Sequence, residues 1–257
     1  MNTNLALPTI YASLRQYLHE LAESGVEGLP LANNTTADNK SIQPFPLQIP
    51  ATEQQETVAL PLGKLSTLEE IRSFMGNCQR CNLAASRKNL VFGCGNPKAK
   101  LVFVGEAPGA DEDRQGEPFV GEAGHILTRI INAMGFERSD VYICNVLKCR
   151  PPGNRNPDKN EITTCSQFML AQLQVIKPEA VVALGTFAAQ TLLETKEAIS
   201  KLRGKFHQYQ GIPLMPTFHP AFLLRNRANK QLYWDVWEDM VMVLKLLGLP
   251  VPDKQRK

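Results

Sequence analysis

Four of the six cysteines stand in two spaced pairs, Cys78-x2-Cys81 and Cys149-x15-Cys165. Thiols at such spacings usually hold a metal ion or an iron–sulfur cluster. Tetrahedral zinc and a [4Fe-4S] cluster both accept four thiolates, but zinc ribbons generally use two tight pairs, whereas the second pair here is wide. The spacing favours a structural [4Fe-4S] cluster, and zinc or four unrelated buried thiols are the alternatives.

Three polar side chains follow apolar runs that have the character of β-strands. Glu106 lies in the turn Gly105-Glu106-Ala107-Pro108-Gly109, Asn145 ends a second run and His219 follows a fourth. Because the carboxyl ends of parallel strands meet at one edge of a sheet, the three groups are predicted to share a pocket. A capping role for Asn145 and a structural role for His219 are the alternatives.

An aromatic residue, Phe119, lies in the loop Gly116-Glu117-Pro118-Phe119-Val120-Gly121. A loop flanked by Pro and Gly is an unusual place for a core residue. The ring is therefore predicted to stack on a flat ligand, with plain packing as the alternative. The backbone N–H groups of the preceding Gly105–Gly109 turn are predicted to face a carbonyl oxygen or an anion.

Strand-like and helix-like patterns alternate beyond residue 65. Apolar runs at 101–104, 141–146, 180–184 and 214–218 predict strands, and patterns at 122–134, 158–176, 186–194 and 231–247 predict helices. Ser66-x-x-Glu69 is typical of a capping box opening a short helix. This alternation predicts an α/β fold, a three-layer α/β/α sandwich around a central four-stranded, mainly parallel sheet.

The first 60 residues differ in composition from the rest. Apolar spacing over residues 5–25 predicts a short amphipathic helix, and the Pro-, Asn- and Thr-rich stretch 28–60 predicts a disordered linker. The expected division is an N-terminal extension at 1–60 and a catalytic domain at 61–257. The extension carries a net charge of −4 and the remainder +7. Its helix could dock an unknown partner or be a solvated tail.

Composition limits the class of protein. The chain of 257 residues is 43% hydrophobic and 21% charged, as in ordinary globular proteins. No apolar run approaches the roughly 20 residues that span a bilayer, and no signal-peptide pattern begins the chain. We therefore expect a cytoplasmic protein with reduced thiols, in which Cys94 and Cys144 are inert core residues.

A final motif follows His219. Leu223 and Leu224 precede Arg225 and Arg227. Adjacent apolar residues followed by cations suit a wedge that enters a DNA duplex while the arginines hold phosphates. The alternative is an ordinary helical turn with a solvated basic end.

Together the Gly-Glu-Ala-Pro-Gly turn, the Phe119 loop, the segment Asn145-Val-Leu-Lys-Cys149-Arg-Pro-Pro and His219-Pro-Ala resemble the family 4 (iron–sulfur) uracil-DNA glycosylases. The four thiol positions match as well, and the resemblance covers about residues 65–250. It implies a uracil-DNA glycosylase that flips uracil out of DNA and hydrolyses the N-glycosidic bond in base-excision repair.

The resemblance also implies residue roles. Phe119 would stack on the flipped base, Asn145 would pair with uracil O4 and N3–H, and His219 would stabilise the departing base. Glu106 would position water or offset the cationic sugar. The Gly105–Ala107 backbone would meet the uracil oxygens, and Glu112 would crowd the C5 position and exclude thymine.

One residue departs from the wider superfamily, because Ala107 stands where other uracil glycosylases carry a water-activating Asp or Asn. The residue that those enzymes use as a general base is therefore missing, and electrostatic stabilisation of the leaving group is the alternative source of catalysis. A non-catalytic DNA-binding accessory of a DNA polymerase with the same fold is the alternative function. The expected partner in both cases is DNA, uracil-containing for the enzyme, and the expected form is a monomer that does not bind membranes.

Overall fold

A sheet of six strands forms the centre of the described structure. The computed structural model describes residues 61–253. Its strands are β1 (Cys94–Gly95), β2 (Leu101–Gly105), β3 (Tyr142–Asn145), β4 (Ala180–Leu184), β5 (His207–Tyr209) and β6 (Ile212–Thr217). They lie in the order β1-β3-β2-β4-β6-β5, and the four central strands are parallel.

The central strands are the four that the apolar runs predict. The edge strands β1 and β5 pair antiparallel with β3 and β6, so the sheet has six strands where the sequence predicts four. Because β1 has two residues and β5 has three, neither is long enough to show a periodic pattern.

Helices connect the strands. They are α1 (Leu68–Met75), α2 (Ala110–Gln115), α3 (Glu122–Ala133), α4 (Lys159–Ile176), α5 (Gly185–Leu193), α6 (Ile199–Leu202), α7 (Pro220–Arg225) and α8 (Lys230–Leu246). Short 3-10 turns lie at Pro61–Lys64, Asn82–Ala85 and Pro152–Asn154. The four long helical patterns in the sequence agree with α3, α4, α5 and α8 to within about a residue at each end.

The capping box of α1 lies one residue later than predicted. Thr67 is the N-cap, and its hydroxyl accepts a hydrogen bond from the backbone N–H of Glu70 at 3.1 Å. The Glu70 carboxylate accepts from the backbone N–H of Thr67 and of Ser66. Ser66 therefore lies outside the helix and supports the cap, because its hydroxyl also donates to Glu70.

Alternate residues of each strand face opposite sides of the sheet and bury two separate cores. Val102 and Val104 of β2 pack in the cluster that includes α1, α4 and α5. Leu101 and Phe103 pack in the second cluster, with α3 and α8. Because side chains alternate along a strand, one apolar run supplies both cores. The predicted three-layer α/β/α fold is confirmed.

The order of the strands creates a crevice. The chain passes from β2 to β3 on one side and then crosses to β4 on the other side of β2. In open parallel sheets this reversal leaves a crevice outside the carboxyl ends of the strands, where ligands bind. The loops after β2, β3, β4 and β6 all begin at this edge.

Two further predictions concern the ends of the chain and the membrane. The amphipathic helix and linker predicted within residues 1–60 lie outside the described residues. Within residues 61–253, no helix combines the length and the hydropathy required to cross a bilayer.

A buried carboxylate joins α8 to β6. Asp239, which is 1% exposed, accepts hydrogen bonds from the Thr217 hydroxyl at 2.6 Å, the Arg203 guanidinium at 3.1 Å and the Gly204 N–H at 3.1 Å. Burial raises the pKa of Asp239 to about 6 in spite of these donors. The carboxylate therefore links α8 to β6 and to the loop after α6, and Arg203 also donates to the carbonyl oxygen of Asp235 on the same helix.

We expect Asp239→Ala to lower the free energy of unfolding by about 3 kcal/mol, because it leaves the buried Thr217 hydroxyl without an acceptor and removes the carboxylate that pairs with the partly buried Arg203 guanidinium. Urea unfolding measures this change. Asp235→Ala is the matched control on the same helix. Its partly exposed carboxylate lies 4.0 Å from Arg203 and should contribute less than about 1 kcal/mol. Equal losses in the two variants would contradict this interpretation.

Candidate active site

A cavity of about 530 Å³ opens at the carboxyl edge of the sheet. This volume lies within the range of ligand pockets, roughly 300–1,000 Å³. Residues that follow each of the four parallel strands line it: Glu106, Ala107, Pro108 and Gly109 after β2, Asn145 at the end of β3, Gly185 after β4, and Phe218 and His219 after β6. Phe119 and Glu112 also line it, so the structure brings the predicted polar and aromatic residues together.

Phe119 and Asn145 both approach the backbone of Gly105. A Cβ atom at position 105 would lie 2.6 Å from Cζ of Phe119 and 2.3 Å from Oδ1 of Asn145. Both distances are shorter than any packed side chain allows, so the end of β2 has to be glycine. Phe119 and Asn145, which fill this space, both line the cavity, and the contact of the Gly105 backbone with a base stays a prediction.

The Phe119 ring is held in a fixed position. The backbone of Phe119 has a left-handed φ of 55°. Its ring centroid lies 5.6 Å from that of His219, at an interplanar angle of 33°. A left-handed φ is strained for a bulky residue and persists only where surrounding contacts impose it. The loop that carries the ring therefore has to be braced from both sides.

Two charged residues provide this bracing. Arg138 donates to the carbonyl oxygen of Pro118 at 2.8 Å. The Glu112 carboxylate accepts from the N–H groups of Val120 and Gly121, both at 2.9 Å, and from that of Gly109 at 3.1 Å. Glu112 thus ties the Phe119 loop to the turn after β2. Three of its acceptor positions are occupied by the backbone, and its predicted action at C5 of a base stays a prediction.

The side-chain oxygen of Asn145 is a hydrogen-bond acceptor that receives no hydrogen bond. The side chain is 2% exposed, and within the described residues its Oδ1 atom has no hydrogen-bond partner. A buried polar atom left unpaired costs about 1–3 kcal/mol. Such an atom at the wall of a cavity indicates a group reserved for a ligand, here one that offers an N–H or O–H donor.

His219 presents a donor to the same cavity. Its Nδ1 accepts a hydrogen bond from the backbone N–H of Ala221 at 3.1 Å, so the neutral ring carries its proton on Nε2. Burial, together with the nearby Arg225, lowers the pKa of His219 to about 4. The imidazole is therefore neutral at pH 7 and acts as a hydrogen-bond donor through Nε2.

The position of His219 depends on a glycine at the start of α5. Gly185 has a left-handed φ of 86°, and a Cβ atom there would lie 2.8 Å from Cβ of His219. Glycine alone adopts this backbone without strain and leaves room for the imidazole.

Glu106 is the titratable carboxyl group of the turn after β2. Burial raises the pKa of Glu106 to about 7, and within residues 61–253 its carboxylate accepts no hydrogen bond. Near neutral pH it therefore exists in both protonation states, which suits a group that exchanges a proton with water. The neighbouring Ala107 lines the cavity with a methyl group and offers no such chemistry.

The motif after His219 forms α7, and one prediction for it is wrong. Leu223 is fully buried in the core beneath the helix, so it cannot enter a duplex. Leu224 is half-buried, and Arg225 and Arg227 are exposed. Arg225 lines the cavity, and Arg227 pairs with Glu122 of α3 at 3.4 Å.

Sequence reasoning did not assign two residues that support or line the cavity. Arg138 is one, and no sequence pattern links it to Pro118 twenty residues earlier. Phe222 of α7 is the other: it lines the cavity, three positions after His219. Residues three apart lie on the same face of a helix, so the spacing from His219 was a signal for Phe222.

The four cysteines also come together. Cys78, Cys81, Cys149 and Cys165 line one small cavity beneath α4. Arg80 and Arg87 donate to the sulfurs of Cys78 and Cys149 at 3.3 and 3.5 Å, and the backbone N–H of Lys148 donates to Cys165 at 3.3 Å. In residues 61–253, no three His, Cys, Asp or Glu side chains are arranged to hold a single metal ion.

The fold and the convergence of Asn145, His219 and Phe119 agree with comparison to known proteins. The profile of the uracil DNA glycosylase superfamily matches residues 92–241, which contain β1 to β6 and all three residues. The type-4 uracil-DNA glycosylase of Thermotoga maritima is 46% identical over 165 residues, 63% of this chain and 86% of the relative. That of Archaeoglobus fulgidus is 42% identical over 177 residues, 66% and 89% of the two chains.

A type-5 uracil-DNA glycosylase of Pyrobaculum aerophilum is more distant, 31% identical over 152 residues, 52% of this chain and 67% of the relative. The chain belongs to the uracil DNA glycosylase superfamily, and within it to the type-4 family. The resemblance seen in the sequence motifs is confirmed.

We expect Arg138→Met to release the loop that carries Phe119, because a charged hydrogen bond to a backbone carbonyl contributes about 1.5–3 kcal/mol. Amide hydrogen exchange at Val120 and Gly121 should accelerate about tenfold or more. Arg129→Met, an exposed change on α3, is the control and should leave both amides unchanged. Unaltered exchange in Arg138→Met would show that the loop does not need this brace.

Proposed function

We propose that the chain is a uracil-DNA glycosylase that extrudes uracil from DNA and hydrolyses its N-glycosidic bond, giving free uracil and an abasic site. The observation that carries this proposal is the unpartnered Oδ1 of Asn145 in a cavity shared with the Phe119 ring and the Nε2–H of His219. A base inside a duplex cannot reach such a site, so it has to be flipped out at a cost of a few kcal/mol.

Recognition of uracil follows from hydrogen-bond chemistry. Asn145 Oδ1 accepts from uracil N3–H, and its Nδ2 donates to O4. Cytosine offers the reverse pattern, an acceptor at N3 and donors on the exocyclic amine, and leaves the buried amide unpaired. Sites that pair buried polar groups with substrate reject mismatched analogues by roughly 10⁴ or more. Phe119 stacks on the ring of the base.

Departure of the base requires stabilisation of negative charge. As the glycosidic bond breaks, charge develops on uracil O2, and the Nε2–H of His219 donates to that oxygen. Because the pKa of His219 is about 4, the donor is a neutral imidazole that keeps its proton and stabilises the leaving group by a hydrogen bond.

Glu106 completes the reaction. In its ionised form it offsets the developing positive charge of the sugar and orients the attacking water. Its pKa of about 7 also allows it to take up the proton that this water releases. The absence of an Asp or Asn at Ala107 therefore leaves Glu106 as the proposed water-orienting group.

The alternative of a non-catalytic accessory of a DNA polymerase has less support. A Bacillus phage SP01 DNA polymerase is 31% identical over 135 residues, 52% of this chain but 14% of that protein. The complete set of recognition and leaving-group residues in one cavity favours catalysis.

The DNA backbone is proposed to contact α7. Arg225 lines the cavity and is exposed, Arg227 is exposed two residues later, and Leu224 is the half-buried leucine of this helix. Phosphate contacts of this kind weaken as salt rises. The monomeric state, the cytoplasmic location and the N-terminal partner stay predictions.

We also propose that Cys78, Cys81, Cys149 and Cys165 hold a [4Fe-4S] cluster. The donor set fits, because four thiols surround one cavity and Arg80 and Arg87 are placed to balance the negative charge of thiolates. A [4Fe-4S] cluster takes one thiolate at each iron, and its ligands stand wider apart than around a single ion. The wide Cys149-x15-Cys165 pair and the lack of a three-ligand single-ion arrangement within residues 61–253 favour the cluster over zinc. When bound, the cluster supplies a structural cross-link.

We expect His219→Ala and Asn145→Ala to lower kcat for uracil release at least 100-fold, since removal of one such hydrogen-bonding group typically costs about 100- to 1,000-fold. An abasic-site assay on a uracil-containing oligonucleotide measures this loss. Affinity for DNA should be largely unchanged. His125→Ala and Asn132→Ala, both exposed on α3, are matched controls that should retain activity. Full activity in either pocket variant would refute the proposed site.

We expect the purified protein to be brown, with about four irons and four sulfides per chain. Cys165→Ser should remove the visible absorbance and the bound iron, whereas Cys144→Ser, a fully buried thiol outside the cavity, should retain both. Iron, sulfide and zinc analysis gives the outcome without reference to activity. One zinc per chain in place of iron would overturn the cluster assignment.

A further inference from the structure

The cavity at the carboxyl edge is larger than one pyrimidine base requires. Its volume is about 530 Å³, and Phe119, Asn145 and His219 are three of the residues that line it. Other apolar side chains line the remainder, and their roles are not explained by recognition of uracil. Three of them are aromatic and form what we name the aromatic subsite: Phe187, Phe218 and Phe222.

Two rings of the aromatic subsite form a pair. The ring centroids of Phe218 and Phe222 lie 5.3 Å apart at an interplanar angle of 37°. Both side chains are half-buried, so they present surface to the cavity. Such faces take up flat π-systems, and nucleobases stack on them with little dependence on sequence.

The Phe218 ring is oriented by a cation. The guanidinium carbon of Arg203 lies 5.1 Å from the ring centroid, and the same guanidinium is fixed by Asp239. A ring held in this way loses little conformational entropy when a ligand stacks on the subsite. The platform is therefore preformed.

The rim of the cavity carries positive charge near the subsite. Arg225, on the same helix as Phe222, lines the cavity and is exposed. Arg155 lines the cavity from the loop before α4. Its two terminal nitrogens donate hydrogen bonds to the Glu161 carboxylate of α4 at 2.9 and 2.6 Å. An aromatic platform with arginines at its rim has the chemistry of single-stranded nucleic-acid sites.

We propose that the aromatic subsite binds one unpaired nucleobase that neighbours the uracil on the same DNA strand. This inference rests on the proposed function, because uracil in the adjoining pocket brings its neighbour to the subsite. Both bases are then held outside a helix, so the subsite favours uracil in single-stranded or locally opened DNA.

The test uses single-stranded oligonucleotides in which the nucleotide on the 5′ or the 3′ side of uracil is an abasic tetrahydrofuran analogue. For the wild-type chain, removal of one of these bases should raise KM for uracil release roughly fivefold to 150-fold, the range for loss of one aromatic–base stack. Phe222→Ala should raise KM similarly on the intact strand and respond no further to the analogue.

Control variants separate stacking from folding. Phe222→Trp keeps a flat face and should retain the response to the neighbouring base, while Phe222→Leu keeps apolar volume and should lose it. Quenching of 2-aminopurine placed beside uracil reports the stack without catalysis. If quenching occurs but no uracil is released, the proposed function fails and the subsite stands.

Results of two kinds would overturn the subsite. One is a wild-type KM that is indifferent to the analogue on both sides, or a response that persists undiminished in Phe222→Ala. The other is a Phe222→Ala defect confined to double-stranded substrate, which would assign the ring to filling the gap left by the flipped base.

Discussion

Gly105 lacks a side chain, and this lets two functional groups meet at the end of β2. The Asn145 amide and the Phe119 ring occupy the space where a Cβ atom would lie. The two groups come from different connections of the sheet, one from the end of β3 and one from the loop before α3. Their convergence therefore depends on parallel strands that end at the same edge of the sheet and on the absence of a Cβ atom at residue 105.

The groups around this point are held in unfavourable states. Asn145 Oδ1 is unpartnered, burial raises the pKa of Glu106 to about 7, and burial lowers that of His219 to about 4. A raised carboxyl pKa removes stability as pH rises through neutrality, and a lowered imidazole pKa removes it as pH falls below about 6.5. The fold offsets these costs with its two apolar cores.

The sequence was sufficient to predict the positions of side chains that follow strand ends. It was insufficient to predict which side chains packing buries. Asn145 and His219 were predicted because apolar runs define where parallel strands stop. Leu223 was assigned to the surface, yet it lies in the core, because a six-residue helix shows too few turns to reveal its buried face. The hydrogen bond from Arg138 to Pro118 depends on a tertiary contact, which no local spacing records.

The thiol cavity and the base pocket share one short segment. Asn145 and Cys149 are four residues apart, and between them Lys148 is buried with its ammonium on Gln172 Oε1 at 2.6 Å. The backbone of Lys148 bonds at both ends, through its carbonyl to Val91 N–H and through its N–H to the Cys165 sulfur. A segment fixed at this many points transmits displacement with little loss, since packed interiors do not deform smoothly. Cys149 therefore follows a backbone that is fixed on both sides of Lys148, and the same short segment carries the Asn145 amide at the end of β3.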